Sequence, residues 1–306
     1  MTTQQRALII GGNGFIGSHL VDSLRKQCQV TVLDVGAPRP DCNWQGVDYT
    51  RGAVSDVALT SKVLEGVDVV YHLASSTVPA TSNLDPVADI EGNLIATVGL
   101  LDCMRTAGVQ RIVYFSSGGT VYGNPSVLPI PETHATAPIS SYGVVKLAIE
   151  KYLGMYQALY GLSPLILRPA NPYGPRQGGG GIQGVIAAFL AAHRRGNAVK
   201  VWGDGTVVRD YLFVSDLITL ATRAAASSAT GVFNVGSGVG YSLNEILECI
   251  GAVTGRPVEV NRSEGRSFDV DRVVLDVSKA RDTFDWAPSV DLSEGLKRTW
   301  NWIAGL

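Results

Sequence analysis

Hydrophobic and polar positions along the first half of the chain fall into two alternating patterns. Short apolar runs, typical of strands buried on both faces, alternate with longer stretches whose apolar positions recur at helical spacing. The predicted strands are Ala7–Ile10, Val30–Leu33, Val67–His72, Arg111–Ser116, Pro164–Leu167 and, with a weaker pattern, Val47–Thr50. The predicted helices are Phe15–Lys26, Val57–Leu64, Pro86–Ala107 and Tyr142–Leu159. This alternation implies right-handed crossovers and predicts an α/β fold with a Rossmann-type, doubly wound parallel sheet.

The pattern changes after Arg168. Four consecutive glycines, Gly178–Gly181, favour a mobile loop. The elements predicted beyond them are the helices Ile182–Arg195, Val214–Ala226, Leu243–Val253 and Leu292–Ile303 and the strands Val199–Trp202 and Gly231–Val235. We therefore predict a cofactor-binding domain of residues 1–171, joined by 212–236. A smaller, interleaved α/β substrate domain is expected to comprise residues 172–211 and 237–306.

The first predicted strand runs directly into a glycine-rich turn. Gly11, Gly14 and Gly17 are spaced three apart, and a predicted helix follows. Gly11 permits a tight turn, Gly14 lets the backbone approach a pyrophosphate, and Gly17 lets helix and strand pack closely. The free amides at the helix start, at Phe15 and Ile16, then face the phosphate charge. A strand, glycine turn and helix in this order predict a dinucleotide site.

An acidic residue ends the second predicted strand. Asp34 lies seventeen residues after Gly17. A carboxylate at this point accepts hydrogen bonds from both adenosine ribose hydroxyls and repels a 2′-phosphate. The sequence therefore favours NAD over NADP as the cofactor, although Arg39, just beyond the acid, leaves the NADP alternative open.

Composition narrows the class of protein. The chain has 306 residues, 45% hydrophobic and 17% charged, which is enough for a large core. A net charge of -2 implies no general attraction to nucleic acid or to anionic membranes, and no apolar run reaches the ~20 residues of a membrane span. The polar start, Met1–Arg6, resembles no signal peptide. Four scattered cysteines and four dispersed histidines predict no metal site and fit reduced thiols in the cytoplasm.

Tyr142 and Lys146 are four residues apart and lie on one face of a predicted helix. Such a pair arises often by chance, as a surface lysine beside a half-buried tyrosine. Its position favours a functional interpretation, because the helix follows Ser116–Gly123, at the carboxyl end of a core strand, where ligands bind. A nearby ammonium stabilises a phenolate and lowers a pKa that is ~10 when unperturbed. Tyr142 could then act as a general base near neutral pH.

Further motifs are distributed over almost the whole length of the chain. They are Gly11–Ser18, His72–Ala74, Asn93, Ser116–Gly123, Tyr142 with Lys146, Leu167–Asn171, Gly203–Gly205, Arg209–Tyr211, Arg266 and Asp269. Through these motifs the chain resembles the extended short-chain dehydrogenase/reductase family, and within it the NAD-dependent nucleotide-sugar epimerase/dehydratase branch. The resemblance implies a UDP-sugar 4-epimerase that acts through a 4-keto intermediate on UDP-glucose and UDP-galactose, and its extension to N-acetylated forms depends on Val273, as described below.

The same resemblance assigns the cofactor site. It implies that NAD is held by Gly11–Gly17, Asp34, Leu73, Ala74, Ser75 and the backbone at Val54. The backbone at Val54 is expected to contact adenine, because Ala53 stands where the family often has an aspartate that makes this contact. Asp56, close by, is expected to cap the following helix instead.

The resemblance also assigns the catalytic groups, with one departure from the family pattern. Tyr142 matches the base and Lys146 its cationic partner. Gly118 stands where the epimerases commonly have a serine that donates to the sugar hydroxyl, so we expect Thr120, or failing that Ser117, to supply the hydroxyl. The dehydratases read Thr-Asp-Glu across residues 118–120, and the absence of both acids here disfavours elimination of water.

Substrate binding is assigned to four residues. Asn171 resembles the family residue that contacts the substrate diphosphate. Arg209 and Arg266 resemble two arginines that grip the UDP pyrophosphate, for which guanidinium groups are well suited. Val273 stands where hexose-specific bacterial epimerases place a bulky tyrosine, and so leaves room for a 2-acetamido group unless it is simply a packed strand residue.

Two other functions are compatible with the same motifs, and the resemblance also implies a homodimer. A nucleotide-sugar 4-ketoreductase would share the fold but release its cofactor at each turnover. A non-catalytic NAD-binding regulatory protein is supported only by Gly118. The family commonly pairs two helices across a two-fold axis, so we expect a homodimer through Pro86–Ala107 and Tyr142–Leu159. Both helices carry an apolar stripe, which is usually core alone but could also serve the dimer: Leu94, Leu100, Leu101 and Met104, and Ile149, Tyr152, Leu153 and Tyr156.

Overall fold

The structure is a computed structural model that describes residues 5–79, 81–178, 184–264 and 270–305. The chain forms two compact units. The first unit comprises Met1–Val121, Pro138–Arg168 and Ile218–Phe233, and the second comprises Tyr122–Ala137, Pro169–Leu217 and Asn234–Leu306. The segment Tyr122–Ala137, which the sequence had placed with the cofactor-binding domain, groups with the second unit.

The elements follow one another as strands and helices in near alternation. The strands are β1 Arg6–Ile10, β2 Gln29–Asp34, β3 Val47–Arg51, β4 Val69–His72, β5 Arg111–Phe115, β6 Ser163–Pro169, β7 Asn171–Tyr173, β8 Val199–Trp202, β9 Val208–Phe213, β10 Gly231–Val235, β11 Gly240–Ser242, β12 Val260–Ser263 and β13 Arg272–Val273. The helices are α1 Phe15–Leu24, α2 Val57–Val63, α3 Pro86–Asp89, α4 Ala96–Ala107, α5 Ser141–Tyr160, α6 Val185–Arg194, α7 Val214–Ala226, α8 Leu243–Thr254, α9 Ser278–Phe284 and α10 Leu292–Ala304. A π-helical turn, Ile90–Ile95, joins α3 to α4.

A seven-stranded sheet is the centre of the first unit within the described residues. Its strand order is β10-β6-β5-β4-β1-β2-β3. Neighbouring strands from β3 through to β6 pair in parallel. The order reverses direction at β1, which makes this a doubly wound sheet and confirms the predicted fold class. Ligands of such sheets bind beyond the carboxyl ends of the strands near the reversal.

Local sequence explains where the helices of the first unit begin and end. Asp56 caps α2 by accepting from the Leu59 amide, as expected. Ser140 caps α5, and the left-handed Gly161 (φ 71°) ends it. The predicted helix Pro86–Ala107 is less regular than expected, because the π-helical turn interrupts it.

The apolar sides of α4 and α5 pack into the core of the first unit. Residues of both apolar stripes lie there: Leu100, Leu101, Met104, Ile149, Leu153 and Tyr156 are each at most 4% exposed. Burial of each such side chain stabilises the fold by about 1.5–3 kcal/mol. Of the two alternatives for the apolar stripes, these six residues therefore belong to the core. Leu94 packs partly buried against the same core, and Tyr152 is 37% exposed.

The second unit contains strands that the sequence did not predict. Its four-stranded sheet has the order β11-β9-β13, with β7 beside β9, and β8 pairs with β12 in a separate ladder. Only β8 of these strands was predicted. The others run from two to six residues and are short or interrupted by polar or charged positions, so they lack the apolar run by which the core strands were found. The expected loop Gly178–Gly181 lies almost wholly outside the described residues.

The described residues contain no helix long and apolar enough to cross a membrane. They also contain no cluster of three or more His, Cys, Asp or Glu side chains that could hold a metal ion.

Candidate active site

The glycine turn after β1 has the shape that a dinucleotide requires. Gly11 adopts φ 86°, and a Cβ atom there would lie 2.6 Å from the Ala74 amide nitrogen. A Cβ atom on Gly17 would collide with the Gly11 carbonyl oxygen. α1 begins at Phe15, and its N-cap Gly14 has no side chain to cap it, which leaves the first amides, at Phe15 and Ile16, for an anion. These residues fit the pyrophosphate of NAD.

The Asp34 carboxylate is fixed beside this turn. Its oxygens accept from the amides of Asn13 and Gly36, both at 2.9 Å. Arg39, which had left NADP open, donates to Asp41 through two nitrogens at 2.6 and 2.9 Å. The guanidinium is therefore already engaged by a carboxylate, an arrangement that fits a ribose with a free 2′-hydroxyl.

The end of β4 lies against the glycine turn. The amides of Leu73 and Ala74 both donate to the Ile10 carbonyl, at 2.9 and 3.0 Å. This places Leu73, Ala74 and Ser75 at the carboxyl edge of the sheet, next to the turn. The Val54 carbonyl accepts from the Thr60 hydroxyl at 3.0 Å, so a contact from Val54 to adenine would come from its amide.

The catalytic pair predicted from the sequence lies at the start of α5. Tyr142 is the second residue of the helix, and the Lys146 side chain follows one turn later on the same face. The Lys146 ammonium donates to the Phe115 carbonyl at 2.9 Å and lies 5.5 Å from the centre of the Tyr142 ring. Lys146 is only 4% exposed, so its charge is held within the protein beside the phenol.

The pKa of Tyr142 differs from the sequence-based expectation. Burial, together with the Asp89 carboxylate, raises the pKa of Tyr142 to about 12. Burial also lowers the pKa of Lys146 to about 8, against the opposing charges of Asp89 and Glu150. The expected lowering of the phenol pKa is therefore wrong for the polypeptide, because burial and the Asp89 charge raise this pKa.

A buried ion pair braces α5 against two strands. Arg168 on β6 binds Glu150 on α5 at 2.6 Å, and both side chains are at most 5% exposed. The Ser116 hydroxyl, just after β5, donates to the same carboxylate at 2.5 Å. The Ser116 hydroxyl is therefore already hydrogen-bonded to Glu150. The candidates for a hydrogen bond to a substrate are then the hydroxyls of Ser117 and Thr120.

Thr120 lies beside α5, the helix that carries Tyr142 and Lys146. Its hydroxyl oxygen is buried and has no hydrogen-bond partner among the residues that the structure describes. Its carbonyl oxygen would lie 2.8 Å from a Cβ atom on Gly143, so the Thr120 backbone packs directly against the residue after Tyr142. Ser117 is half-buried, and its carbonyl accepts from the Val121 amide at 3.3 Å. The unpartnered hydroxyl favours Thr120 over Ser117 as the substrate donor.

Several residues assigned to the substrate lie on one face of the sheet in the second unit. In the parallel ladders, Asn171 on β7 pairs with Tyr211 on β9, and Val273 on β13 pairs with Arg209 on β9. Paired residues share a face, and so do residues two apart on one strand. The face therefore carries Asn171, Arg209, Tyr211 and Val273. Arg266 lies outside the described residues.

The sequence analysis named Tyr211 only as part of the motif Arg209–Tyr211 and gave it no role. Its side chain is 5% exposed, and its hydroxyl has no partner in the described part of the chain. A buried phenol that follows Arg209 by two positions was a signal available in the sequence. Val273 is only 2% exposed, as expected of a packed strand residue.

The fold and these groups define a dinucleotide-binding enzyme of the Rossmann type with a tyrosine–lysine pair. Residues 7–236 match the model of the NAD dependent epimerase/dehydratase family. The chain belongs to this family.

Comparisons with individual proteins agree with this assignment. The UDP-glucose 4-epimerase of Mycolicibacterium smegmatis is 38% identical over 303 residues, which cover 96% of this chain and 97% of that protein. The crystal structure of UDP-glucose 4-epimerase from Thermotoga maritima with UDP-glucose has a TM-score of 0.94 and 35% identity, covering 98% of this chain and 99% of the other. The UDP-N-acetylglucosamine 4-epimerase of Methanobrevibacter ruminantium, in complex with UDP-N-acetylmuramic acid, has a TM-score of 0.92 and 28% identity over 100% and 99% of the two chains.

Proposed function

We propose that this protein is a UDP-sugar 4-epimerase that keeps NAD bound through the whole reaction. The observation that carries the proposal is the Tyr142–Lys146 pair at the start of α5, in the same unit as a glycine turn that fits NAD. The similarity to UDP-glucose 4-epimerases over almost the whole chain supports it.

The residues of the first unit divide the chemistry between them. Bound NAD supplies a hydride acceptor and donor. Tyr142 removes the proton from the sugar 4-hydroxyl and later returns one to the 4-keto sugar. The buried Lys146 ammonium stabilises the phenolate that forms, and Thr120 donates to the same sugar oxygen. Burial raises the pKa of Tyr142 to about 12. The positive charge of the Lys146 ammonium must therefore offset the effect of burial on this pKa for Tyr142 to act as a base near neutral pH.

The second unit is proposed to hold the nucleotide while the 4-keto sugar rotates. Arg209 and Arg266 would grip the diphosphate, with Asn171 beside them. Such remote binding retains the 4-keto sugar while it presents its other face. The side-chain amide of Asn171 donates to the backbone carbonyl of Asp210 at 3.0 Å, which fixes the orientation of the Asn171 side chain.

The absence of acids at 118–120 separates epimerisation from dehydration. Gly118, Gly119 and Thr120 carry no carboxyl group to protonate a leaving hydroxyl. A 4-ketoreductase remains the rival within the fold, and it would exchange its cofactor in every cycle. Retention of NAD through purification therefore discriminates the two.

The sugar is proposed to include N-acetylated hexoses. By the family resemblance, Val273 takes the place of a bulky tyrosine and would leave room for a 2-acetamido group, and one structural neighbour is named as a UDP-N-acetylglucosamine 4-epimerase. The near-complete burial of Val273 supports the alternative in which it only packs the strand.

We also propose a homodimer in the cytoplasm. Exposed apolar side chains lie along α5 and along α3 with its continuation to α4: Val87 (64%), Ile95 (59%), Val144 (52%), Met155 (41%), Leu159 (63%) and Tyr160 (50%). Apolar surface of this extent favours a partner, and pairing of these helices with a second copy would cover it. Four free thiols fit a reducing compartment. Sedimentation should show a dimer that Leu159→Glu dissociates, and a monomeric wild type at micromolar concentration would refute it.

A turnover assay on a panel of UDP-sugars tests the function. The purified protein, with no NAD added, should interconvert UDP-glucose and UDP-galactose in both directions. Activity that needs a stoichiometric supply of reduced cofactor would show a ketoreductase instead. Binding of NAD with no turnover of any UDP-sugar would show a regulatory protein.

A further inference from the structure

A buried carboxylate outside α5 is bound to the start of the catalytic helix. Asp89, the last residue of α3, is completely buried. One of its oxygens accepts from the Thr77 hydroxyl at 2.6 Å and from the Asn93 amide at 2.8 Å. The other accepts from the Ser141 hydroxyl at 2.7 Å. Since Ser141 is the first residue of α5, Asp89 is linked directly to the residue before Tyr142.

The first turn of α5 is anchored by other side chains of the same region. The Ser141 amide donates to Asn83 at 2.8 Å, and the Tyr142 amide donates to the Ser82 hydroxyl at 3.1 Å. Two of the amides that a helix start leaves unpaired are thereby satisfied from outside the helix. Asp89 adds a negative charge at this N-terminal end, where the helix dipole favours one.

On its other side, Asp89 reaches the segment that follows β4. Thr77, which donates to Asp89, accepts at its carbonyl from the Ser75 hydroxyl at 3.0 Å. Asn93, the second donor to Asp89, accepts from the Ser76 amide at 2.8 Å. A single carboxylate therefore connects the segment expected to line the cofactor groove with the helix that carries the catalytic base.

We propose that Asp89 is a positioning residue of the active site, which fixes the first turn of α5 to the segment Ser75–Thr77 and places a negative charge beside the Tyr142–Lys146 pair. It touches neither the substrate nor the cofactor in this role and acts through Ser141 and Thr77. The kinetic part of the proposal rests on the proposed epimerase function.

Asp89 is the carboxylate whose charge acts on both Tyr142 and Lys146. The groups around Tyr142 and Lys146 are Asp89 from α3, Glu150 from α5, Tyr114 from β5 and His72 from β4. Glu150, which is paired with Arg168, also opposes the lowering of the Lys146 pKa, and burial lowers the pKa of His72 to about 3, which leaves that ring uncharged. Asp89, in contrast, is bound by neutral donors in its hydrogen bonds among the described residues.

The direction of the effect follows from the sign of the charge. Asp89 raises the pKa of Tyr142 and opposes the lowering of the pKa of Lys146. In Asp89→Asn the phenol should ionise at lower pH, and the ammonium should lose its proton at lower pH as well. Both limbs of the pH–rate profile should therefore move to lower pH, whereas loss of structure alone would lower the profile without moving it.

The test compares three variants of the full-length protein with UDP-galactose as substrate. Asp89→Asn removes the charge but keeps the shape, Ser141→Ala removes one hydrogen bond but keeps the charge, and Asp85→Asn removes an exposed charge of the same segment. We expect Asp89→Asn to shift both limbs by roughly one pH unit and to lower kcat at least severalfold with little change in KM. Ser141→Ala should lower kcat without the shift, and Asp85→Asn should match the wild type. An Asp89→Asn profile that superposes on the wild-type limbs would overturn the proposal.

Hydrogen exchange provides a readout that does not depend on activity. Amides 141–143 should exchange severalfold faster in Asp89→Ala than in the wild type, while amides at the far end of α5 should not change. If Asp89→Ala does not fold, Ser141→Ala replaces it, with the same expectation. Unchanged exchange in the folded variant would contradict the positioning role. A wild type that turns over no UDP-sugar would refute the proposed function, and the exchange measurement would still decide the role of Asp89.

Discussion

The Lys146 ammonium donates to the carbonyl oxygen of Phe115, the last residue of β5. This bond ties the catalytic helix to the carboxyl end of a central strand and holds a charge where water barely reaches it. Removing the charge should reduce turnover far more than it reduces stability. We predict that Lys146→Met lowers kcat by ~10²-fold or more, while the exposed control Lys151→Met leaves it unchanged. Near-normal turnover in Lys146→Met would show that the phenolate needs no cationic partner.

The same lysine makes stability depend on pH in a defined direction. Burial lowers the pKa of Lys146 from 10.5 to about 8. Between these values the unfolded chain binds a proton that the folded protein does not, so the free energy of unfolding rises with pH in this window. Denaturant unfolding at about pH 7 and about pH 9 should show this rise in the wild type and a smaller one in Lys146→Met. An equal rise in both proteins would assign it to other groups.

The protein hydroxyl that donates a hydrogen bond to the substrate is predicted to be that of Thr120. Thr120→Val keeps the shape but removes the buried, unpartnered hydroxyl, whereas Ser117→Ala removes a half-buried one. We expect Thr120→Val to reduce kcat by at least tenfold and Ser117→Ala to reduce it less, as measured with UDP-galactose. The reverse ranking would assign the donor to Ser117.

The cofactor preference should follow from Asp34 and from the pairing of Arg39. Titration of the cofactor-free protein should give an affinity for NAD at least about tenfold above that for NADP, because the carboxylate repels a 2′-phosphate. Asp41→Asn releases the Arg39 guanidinium from its carboxylate partner and should improve NADP binding selectively. Equal affinity of the wild type for both cofactors would contradict this part of the account.

Sugar selectivity is predicted to depend on the volume at Val273. The wild type should turn over UDP-N-acetylglucosamine alongside UDP-glucose, and Val273→Tyr should suppress the N-acetylated sugar selectively by steric overlap. Because Val273 is 2% exposed, melting curves must show that the variant is folded. Equal loss of both substrates in a folded variant would favour the packed-strand interpretation.

What could be predicted from the sequence was mainly local. The turn Gly11–Gly17 and the pair Tyr142–Lys146 depend on residues a few positions apart, and the apolar runs of the central strands are continuous. Asp89 could not be found in this way, since its donors Thr77 and Ser141 are 12 and 52 positions away. The short strand β13 gave no periodic signal, because it is held by its pairing with β9 rather than by its own pattern.

The pKa of Tyr142 and the dimer surface show a second limit of sequence reasoning. Sequence places Lys146 near the phenol, but only the structure shows that burial and the Asp89 charge raise the pKa of the phenol. The apolar stripe on α5 was found correctly, yet Ile149 and Leu153 face the core, and Leu159 is among those left exposed. Helical periodicity reveals an apolar face but does not say what covers it.

The central claim is that Tyr142 is the acid–base group of an epimerase, and Tyr142→Phe tests it most directly. The variant keeps the ring and removes only the phenol oxygen, so UDP-sugar binding should be unchanged. The rate of interconversion of UDP-glucose and UDP-galactose should fall by ~10²–10⁴-fold. A Tyr142→Phe protein that interconverts the two sugars at a near-normal rate would contradict the account.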